Sequence, residues 1–204
     1  MRIVIDEAPL ESSADNAGSA LVQIANTVER QGRIVVEVWM DGERLDEAGL
    51  AAIETNPVVP REIKVSTTTV RDLLADVFRN ALEAMQEIES GQREAATMLQ
   101  AGRRPEAMDE LMVTIERWTQ VGAAVDRGMR LAGWSEDSPE LAAANLAETV
   151  DGLAASLREI RESMRSGDDV RLADCLLYEM PQTVERWNLL LPALGRCADS
   201  IGKD

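Results

Sequence analysis

The spacing of apolar residues changes near residue 68, and this change restricts the chain to a fold with two parts. From residue 69 onward apolar residues recur at intervals of three and four, the period of a helix that buries one face. Before residue 68 the apolar stretches are short and rich in β-branched residues, which is typical of strands. We therefore predict an α+β protein, with a small α/β domain over residues 1–67 and a helical bundle over residues 68–204.

The first domain is predicted to contain strands and helices in the order β-α-β-α-β. Strands are predicted over residues 2–5, 33–40 and 62–68, and helices over residues 17–28 and 46–53. Ser13 or Asp15 is the expected N-terminal cap of the first helix, and Gly32 is expected to end it. Asp41-Gly42 is predicted to form a tight turn. This order of elements is similar to the β-grasp, or ubiquitin-like, arrangement.

The second domain is predicted to contain four helices in two hairpins, residues 69–134 and 138–203. The first helix runs from a capping box at Thr69 to about Gln100, and the second starts near Pro105. The third begins at Ser138-Pro139-Glu140, and the fourth is capped by Asp168 or Asp169. Stops are expected at Gly102, Gly133 and Gly167. Each hairpin exposes an apolar stripe that it cannot bury alone, so we predict a four-helix bundle.

The apolar stripes of the last three helices define the predicted core of the bundle. The second helix carries Met108, Leu111, Ile115, Trp118, Gly122, Val125, Met129 and Ala132. The third carries Leu146, Val150, Leu153, Leu157, Ile160 and Met164. The fourth carries Val170, Ala173, Leu177, Met180, Val184, Trp187, Leu191, Leu194, Ala198 and Ile201. Pro181 and Pro192 interrupt the fourth stripe, so we expect a bend or a break near one or both.

A short sequence echo indicates that the hairpins are duplicated. TIERW at residues 114–118 returns as TVERW at residues 183–187, and a shift of 69 places all eight apolar positions of the second helix on those of the fourth. The helices before them align with a shift of 65, so a turn of four residues is inserted near Tyr178 to Pro181. The duplication predicts that Trp118 and Trp187 are related core residues. It predicts that the Glu-Arg pairs before them, Glu116-Arg117 and Glu185-Arg186, are exposed. A general heptad preference of amphipathic helices is the alternative explanation.

Charge and composition exclude several classes of partner. With 37 acidic and 21 basic residues the net charge is −16, which opposes binding to nucleic acid or to an anionic membrane. The start, MRIVIDEAPLE, has no apolar core of signal-peptide length, and no later stretch approaches about 18 apolar residues. We predict a cytoplasmic protein. Cys175 and Cys197 would lie about 33 Å apart on one helix, so we expect buried thiols without a disulfide.

The residues usual in catalysis or metal binding are few. The chain has no histidine, and no phosphate-binding loop, dinucleotide fingerprint or serine-hydrolase motif occurs. Carboxylates one turn apart, as in Asp72 with Asp76 and Glu83 with Glu87, could gather Mg²⁺ or Ca²⁺, but a solvated helix face is the favoured interpretation. We predict no cofactor, no metal and no catalytic residue.

These observations favour a protein that acts by binding other proteins. We predict a non-enzymatic adaptor or chaperone-like protein that binds a protein partner or a second copy of itself, with Trp39, Tyr178 and Leu191 as candidate contact residues. Trp39 is either covered by the rest of the protein or an exposed anchor. The alternative function is an enzyme or small-ligand-binding protein that uses carboxylates and arginines between the domains.

The overall plan resembles a group of uncharacterised bacterial proteins with a small α/β domain followed by a helical bundle. The resemblance is carried by Asp41-Gly42, the threonines at 67 to 69, Gly102 and Trp118. It covers most of the chain, and because that group has no established activity it implies no catalytic residues here.

Overall fold

A computed structural model of the chain describes residues 1–55, 58–134 and 145–201. It is an α+β structure in which a sheet is followed by a mainly helical region. The chain divides into two compact units, Met1–Leu73 and Leu74–Asp204.

The described residues of the first unit form a five-stranded sheet with the order β2-β1-β5-β3-β4. The strands are β1 Arg2–Ile5, β2 Ala8–Leu10, β3 Arg33–Met40, β4 Glu43–Arg44 and β5 Glu62–Thr69. β1 and β5 are parallel, and the other pairs are antiparallel. The three predicted strands are confirmed. β2 and β4 were missed because two or three residues are too few to show an alternating pattern.

Side chains from two helices and three strands make the core of this unit. The helices are α1 Ala17–Arg30 and α2 Glu47–Thr55. The central buried residues are Ile3, Ala17, Ala20, Ile24, Val28, Val38, Ile53, Ile63 and Val65. The predicted caps of α1 were wrong: Asn16 caps it, since its side chain accepts from the Ser19 amide while Ser19 reaches back to the Asn16 amide.

A bulge in β3 changes which side chains reach this core. The register with β5 shifts between Val35 and Glu37, so the strict alternation expected for β3 is broken there. Val36 is exposed although Val38 is buried, whereas unbroken alternation would have placed both on one face.

The described part of the second unit is mainly helical, and three of its helices end at the predicted glycines. The helices are α3 Val70–Gln100, which begins before the unit boundary, α4 Arg104–Ala132, α5 Leu146–Ser166, α6 Asp169–Asp174 and α7 Met180–Ala198. Gly102, Gly133 and Gly167 all have positive φ, which glycine adopts without strain. Asp168, one of the two predicted caps, accepts from the Arg171 amide. The predicted start at Ser138-Pro139-Glu140 lies outside the described residues.

The two prolines of the last predicted helix behave differently. A π-helical turn, Cys175–Glu179, separates α6 from α7, and Pro181 lies in the first turn of α7, where a missing amide proton costs little. The bend or break expected near Pro181 takes the form of this π-helical turn, within a run of residues that stays helical throughout. α7 continues past Pro192 to Ala198, so no break occurs there.

The buried seams of α4 and α5 are displaced by one residue from the predicted stripes at alternate positions. α4 buries Ala107, Leu111, Thr114, Trp118, Val121, Val125 and Gly128, at alternating spacings of four and three. α5 buries Leu146, Thr149, Leu153, Ile160 and Ser163. Predicted core residues that fall outside these seams are only half-buried or are exposed, as in Ile115, Met129, Leu157 and Val150. Val170, predicted in the fourth stripe, is also exposed.

Candidate functional site

The residues left out of the α4 and α5 seams line an open groove between these two helices. On α4 they are Ile115, Gly122 and Met129, and on α5 they are Val150, Leu157 and Met164. Both sets recur every seven residues, so each forms a continuous row along its helix. We call this feature the α4–α5 groove.

Two open depressions follow one another along the α4–α5 groove. The first has a volume of about 440 Å³ and is lined by Ile115, Ala154, Leu157, Arg158, Ile160, Arg161 and Met164. The second has a volume of about 290 Å³ and is lined by Gly122, Val125, Asp126, Met129, Leu146, Ala147, Val150, Asp151, Leu153 and Trp187. The lining is mainly apolar in both, so the α4–α5 groove offers contact surface more than polar chemistry.

The charged side chains on the rim of the α4–α5 groove are separated by sign. Arg158 and Arg161 lie at the first depression, and Asp126 and Asp151 lie at the second. Asp126 pairs with Arg130 at 2.7 Å. Within the described part of the chain Arg158, Arg161 and Asp151 form no ion pair, so their charges are available to a partner.

The echo residues lie beneath the second depression. The rings of Trp118 and Trp187 meet edge to face, with centroids 5.7 Å apart and planes at 71°. Both side chains are fully buried, and Trp187 also forms part of the wall of the α4–α5 groove. The two tryptophans predicted as core residues are therefore confirmed as such and contact each other.

A second cluster surrounds the π-helical turn. Arg171 donates from Nε and Nη2 to Oε1 of Glu159, at 3.1 and 2.8 Å. This bond, helped by a hydrogen bond from Glu179, lowers the pKa of Glu159. Burial, followed by the charge of Glu159, raises the pKa of Glu179, so Glu179 is the partner that holds a proton more readily. Burial also raises the pKa of the Cys175 thiol to about 12, which makes it a poor nucleophile at neutral pH.

The three predicted contact residues lie in different surroundings. Trp39 is half-buried and borders a shallow depression of about 340 Å³ with Asp41, Glu62 and Lys64. Tyr178 is 66% exposed in the π-helical turn. Leu191 is 0% exposed, so its assignment as a contact residue needs correction: as placed, it belongs to the core. Its seven-residue spacing suits a core seam as well as a binding face, and periodicity alone does not separate them.

The carboxylates weighed as metal ligands mostly face arginines. Asp72 pairs with Arg71, Asp76 with Arg79, and Glu87 with Arg117. In residues 1–55, 58–134 and 145–201 no group of three or more Cys, Asp or Glu side chains has an arrangement that could hold a metal ion. These carboxylates therefore carry no proposed site.

Sequence reasoning missed the α4–α5 groove although its residues were all in the predicted stripes. For α4 the available signal was the number of apolar positions in each heptad. A helix in a narrow seam needs apolar residues at two positions of a heptad, whereas α4 also carries Ala107 and Val121 at a third. In α5 the third position holds Thr149, Ser156 and Ser163, so no such signal is present there.

The comparisons with known proteins concern this same helical region. A family described as a domain of unknown function (DUF8042) matches residues 76–190, more than half of the chain and all of the α4–α5 groove. No curated protein matches the chain significantly, and neither does any solved structure. Among the described helices, none is both long enough and apolar enough to cross a membrane. The chain belongs to the family of this domain of unknown function, DUF8042.

Proposed function

We propose that the protein is a non-enzymatic interaction protein, adaptor-like or chaperone-like, and that the α4–α5 groove receives the apolar face of a helix. The observation that carries this proposal is that the outer rows of two apolar stripes line an open groove instead of the core. Apolar surface left in water is unfavourable, by about 0.8 kcal/mol for each methylene group, so a helix that covers it gains stability. The rim charges would orient that helix.

We also propose that the helical unit is a four-helix bundle of two duplicated hairpins. Thr114 lies 2.4 Å from the Cβ that Gly91 lacks, and Thr183 lies 3.2 Å from Ser156. Thr114 and Thr183 are related by the shift of 69, and their neighbours Gly91 and Ser156 by the shift of 65. A general heptad preference would account for apolar matches but not for the matched threonines. The β-grasp likeness of the first unit remains a proposal that rests on element order.

The echoed arginines support the same duplication. Arg117 of α4 pairs with Glu87 of α3 at 3.0 Å, and Arg186 of α7 pairs with Glu148 of α5 at 3.8 Å. Arg186 also passes within 3.3 Å of the Cβ position of Gly152, which the shift of 65 relates to Glu87. Each arginine of the echo thus ties together the two helices of its own hairpin.

Site-specific photo-crosslinking in the native host tests the proposed function. A photoreactive residue placed at Leu157 in the α4–α5 groove is expected to give discrete protein adducts. The matched control carries the same residue at Gln86, an exposed position of α3 that lines neither depression. The proposal fails if Leu157 gives no adducts beyond those seen with Gln86.

The alternative function, an enzyme or ligand-binding protein, draws on the Glu159–Glu179 pair beside Arg171. π-helical turns occur often at functional sites, and a carboxyl pair with separated pKa values can exchange a proton. Thermal unfolding in the presence of small cationic and anionic ligands tests it. A rise in the unfolding temperature on addition of a ligand, absent in Glu179→Gln, supports this alternative. An unfolding temperature that no ligand changes removes its basis.

A further inference from the structure

We infer that the occupant of the α4–α5 groove is an amphipathic helix of another protein, acidic in its first half and basic in its second half. The inference rests on the proposed function and specifies its partner. The acidic half lies over the first depression and the basic half over the second, so the bound helix runs antiparallel to α5. The unpaired charges on the rim of the groove, and the net charge of the chain, carry this inference.

The positive end of the α4–α5 groove holds arginines without an ion pair. Arg158 and Arg161 line the first depression, and both are exposed. Arg165, also exposed, follows Arg161 by one helical turn and so lies on the same side of α5. None of the three forms an ion pair among the described residues, although Glu162 lies one turn from Arg158. This end of the groove therefore offers positive charge to a partner.

The other end of the α4–α5 groove is negative. Asp126 and Asp151 line the second depression, and both are exposed. Arg130 partly neutralises Asp126, whereas Asp151 forms no ion pair among the described residues. Asp151 precedes Arg161 by ten residues, which is about 15 Å of helix. A helix in the groove therefore meets charges of opposite sign at its two ends, and it pairs with both only if its own charges are in the reverse order.

The dipole of the bound helix sets its direction. Acidic side chains stabilise the first turn of a helix and basic side chains the last turn, so a helix that is acidic first and basic last is the more stable of the two orders. Its acidic half pairs with Arg158 and Arg161, so its N-terminus lies at the first depression, toward the end of α5. The bound helix is therefore antiparallel to α5 and parallel to α4.

The floor of the α4–α5 groove has room for an apolar helix face. Val150 is 42% exposed, and Leu157 and Met164 are half-buried. The row from Val150 to Met164 is about 21 Å long, which is the length of about four helical turns. Gly122 faces this row from α4, and no atom lies within 4 Å of the position that its Cβ would occupy. A large apolar side chain of the occupant can therefore fill the space above Gly122.

The net charge of the chain favours a different protein over a second copy. At a net charge of −16, two copies repel each other as they approach. A partner helix whose acidic and basic residues balance does not meet this repulsion. Binding of a second copy in the groove is thus a separate outcome that the experiments must distinguish.

Two designed peptides test the inference on the full-length chain. Both are amphipathic helices of about four turns, with the same composition, the same row of leucines and no net charge. The ordered peptide carries glutamates in its first half and lysines in its second half, and in the mixed peptide the two alternate. At low salt, fluorescence anisotropy should show that the ordered peptide binds at least about fivefold more tightly, and added salt should reduce this difference.

Variants of the chain locate the binding site. Arg158→Gln with Arg161→Gln should reduce the preference for the ordered peptide to less than about twofold. The matched control, Arg30→Gln with Arg196→Gln, removes the same charge from exposed positions that line neither depression, and it should keep the preference. Gly122→Met should weaken both peptides at least about tenfold, because its side chain fills the floor of the groove. Circular dichroism of each variant checks that the helices are retained.

A photoreactive group at the N-terminus of the ordered peptide tests the direction of the bound helix. Mass spectrometry should place its crosslinks at the first depression, within residues 157–164. Crosslinks at the second depression would show that the helix binds in the opposite direction, which contradicts the inference.

Three other results would overturn the inference. The first is that the ordered and mixed peptides bind equally or that neither binds. The second is that the preference survives Arg158→Gln with Arg161→Gln. The third is that the photoreactive residue at Leu157 crosslinks, in the host, to a second copy of this chain.

The same measurements separate this inference from the proposed function. If the peptides bind equally, or neither binds, while the residue at Leu157 crosslinks to a different host protein, the charge order is refuted and the proposed function stands. If neither peptide binds and that residue gives only control-level adducts, both are refuted.

Discussion

Asp6 joins three strands through one carboxylate at the end of the sheet. Its Oδ1 accepts from the Thr67 amide at 2.8 Å, and its Oδ2 accepts from the Thr67 hydroxyl at 2.5 Å and from Arg33 at 3.2 Å. The hydrogen bond from the Thr67 side chain is the main cause that lowers the pKa of Asp6. Because the carboxylate is partly solvated, we expect this network to have a modest effect on stability.

We predict that Asp6→Asn weakens this end of the sheet by about 1 kcal/mol at pH 7. A carboxylate whose pKa is lowered by folding stabilises the fold above its unfolded pKa, and that contribution disappears as the pH falls through the folded value. Hydrogen exchange of the Thr67 amide should therefore differ between variant and unchanged protein at pH 7 and converge toward about pH 3.

The neighbouring turn residue provides the control for Asp6. Glu7 also has positive φ and is exposed. Glu7→Gln removes a charge at the same turn without removing the network. If Asp6→Asn and Glu7→Gln reduce the protection of the Thr67 amide from hydrogen exchange equally, the role given to Asp6 is contradicted.

The two cysteines should differ in reactivity. Cys175 is fully buried, and burial raises its pKa to about 12, whereas Cys197 is only half-buried. Thiol labelling of the folded protein at pH 8 should therefore modify Cys197 first, and denaturant should expose Cys175. Cys197→Ser should abolish the early labelling and Cys175→Ser should leave it unchanged. Early labelling that survives Cys197→Ser would contradict the buried position of Cys175.

At the scale of helices, each copy of the echo places a threonine close to a small residue of another helix. Gly91 of α3 faces Thr114 of α4. Ser156 of α5 faces Thr183 of α7. The letters of TIERW and TVERW thus have distinct roles: the threonine contacts a small residue of another helix, the arginine forms an ion pair with that same helix, and the tryptophan makes the buried contact between the two copies of the echo.

Gly91→Ala is predicted to destabilise the protein by about 1–3 kcal/mol. Its new Cβ would lie 2.4 Å from Oγ1 of Thr114 and 2.8 Å from a carboxylate oxygen of Glu110. This clash outweighs the gain of about 1 kcal/mol that alanine brings to a helix interior. Urea unfolding followed by circular dichroism measures the difference.

Two further variants test the cause of that loss. Gly122→Ala, where no atom lies within 4 Å of the new Cβ, should be neutral or stabilising. Thr114→Ala should offset part of the cost of Gly91→Ala because it removes the clashing hydroxyl. If Gly91→Ala is as well tolerated as Gly122→Ala, the helices are not closely packed at this point.

At the scale of the whole molecule, the helical unit separates its apolar residues into a core and a groove. Leu191 has the same chemical character as Val150 and similar spacing, yet one is fully buried and the other is 42% exposed. Their positions relative to neighbouring helices, and not their own sequence context, make this difference. The two residues therefore give a direct test of the boundary between core and groove.

We predict that a charge introduced at Leu191 lowers the stability strongly and that a charge introduced at Val150 hardly changes it. Leu191→Asp should lower the stability by more than about 4 kcal/mol because it buries an unpaired charge. Val150→Asp should change it by less than about 0.5 kcal/mol, since Val150 already contacts water. Thermal unfolding of the full-length chain measures both, and a large loss in Val150→Asp would place that residue in the core.

Much of the fold could be predicted because local patterns are governed by local physics. The strand ending at Asp41-Gly42, the helix ends at Gly102, Gly133 and Gly167, and the irregular helical turn before Pro181 follow from backbone conformation and missing amide protons. The cap at Asn16 was missed because Ser13, Asp15 and Asn16 all suit a cap, and only the path of the chain distinguishes them. The bulge in β3 likewise depends on pairing with β5.

The sequence by itself determined the α+β class, the placement of most elements and the burial of Trp118 and Trp187, since each follows from hydrophobic period and turn chemistry. Only the tertiary structure decided that Trp118 contacts Trp187, that Leu191 is buried, and that the row from Val150 to Met164 faces the row from Ile115 to Met129 across a groove. The physical reason is that the spacing of apolar residues along a helix indicates how much apolar surface must be covered. Which neighbour covers each part of it depends on how the helices pack together.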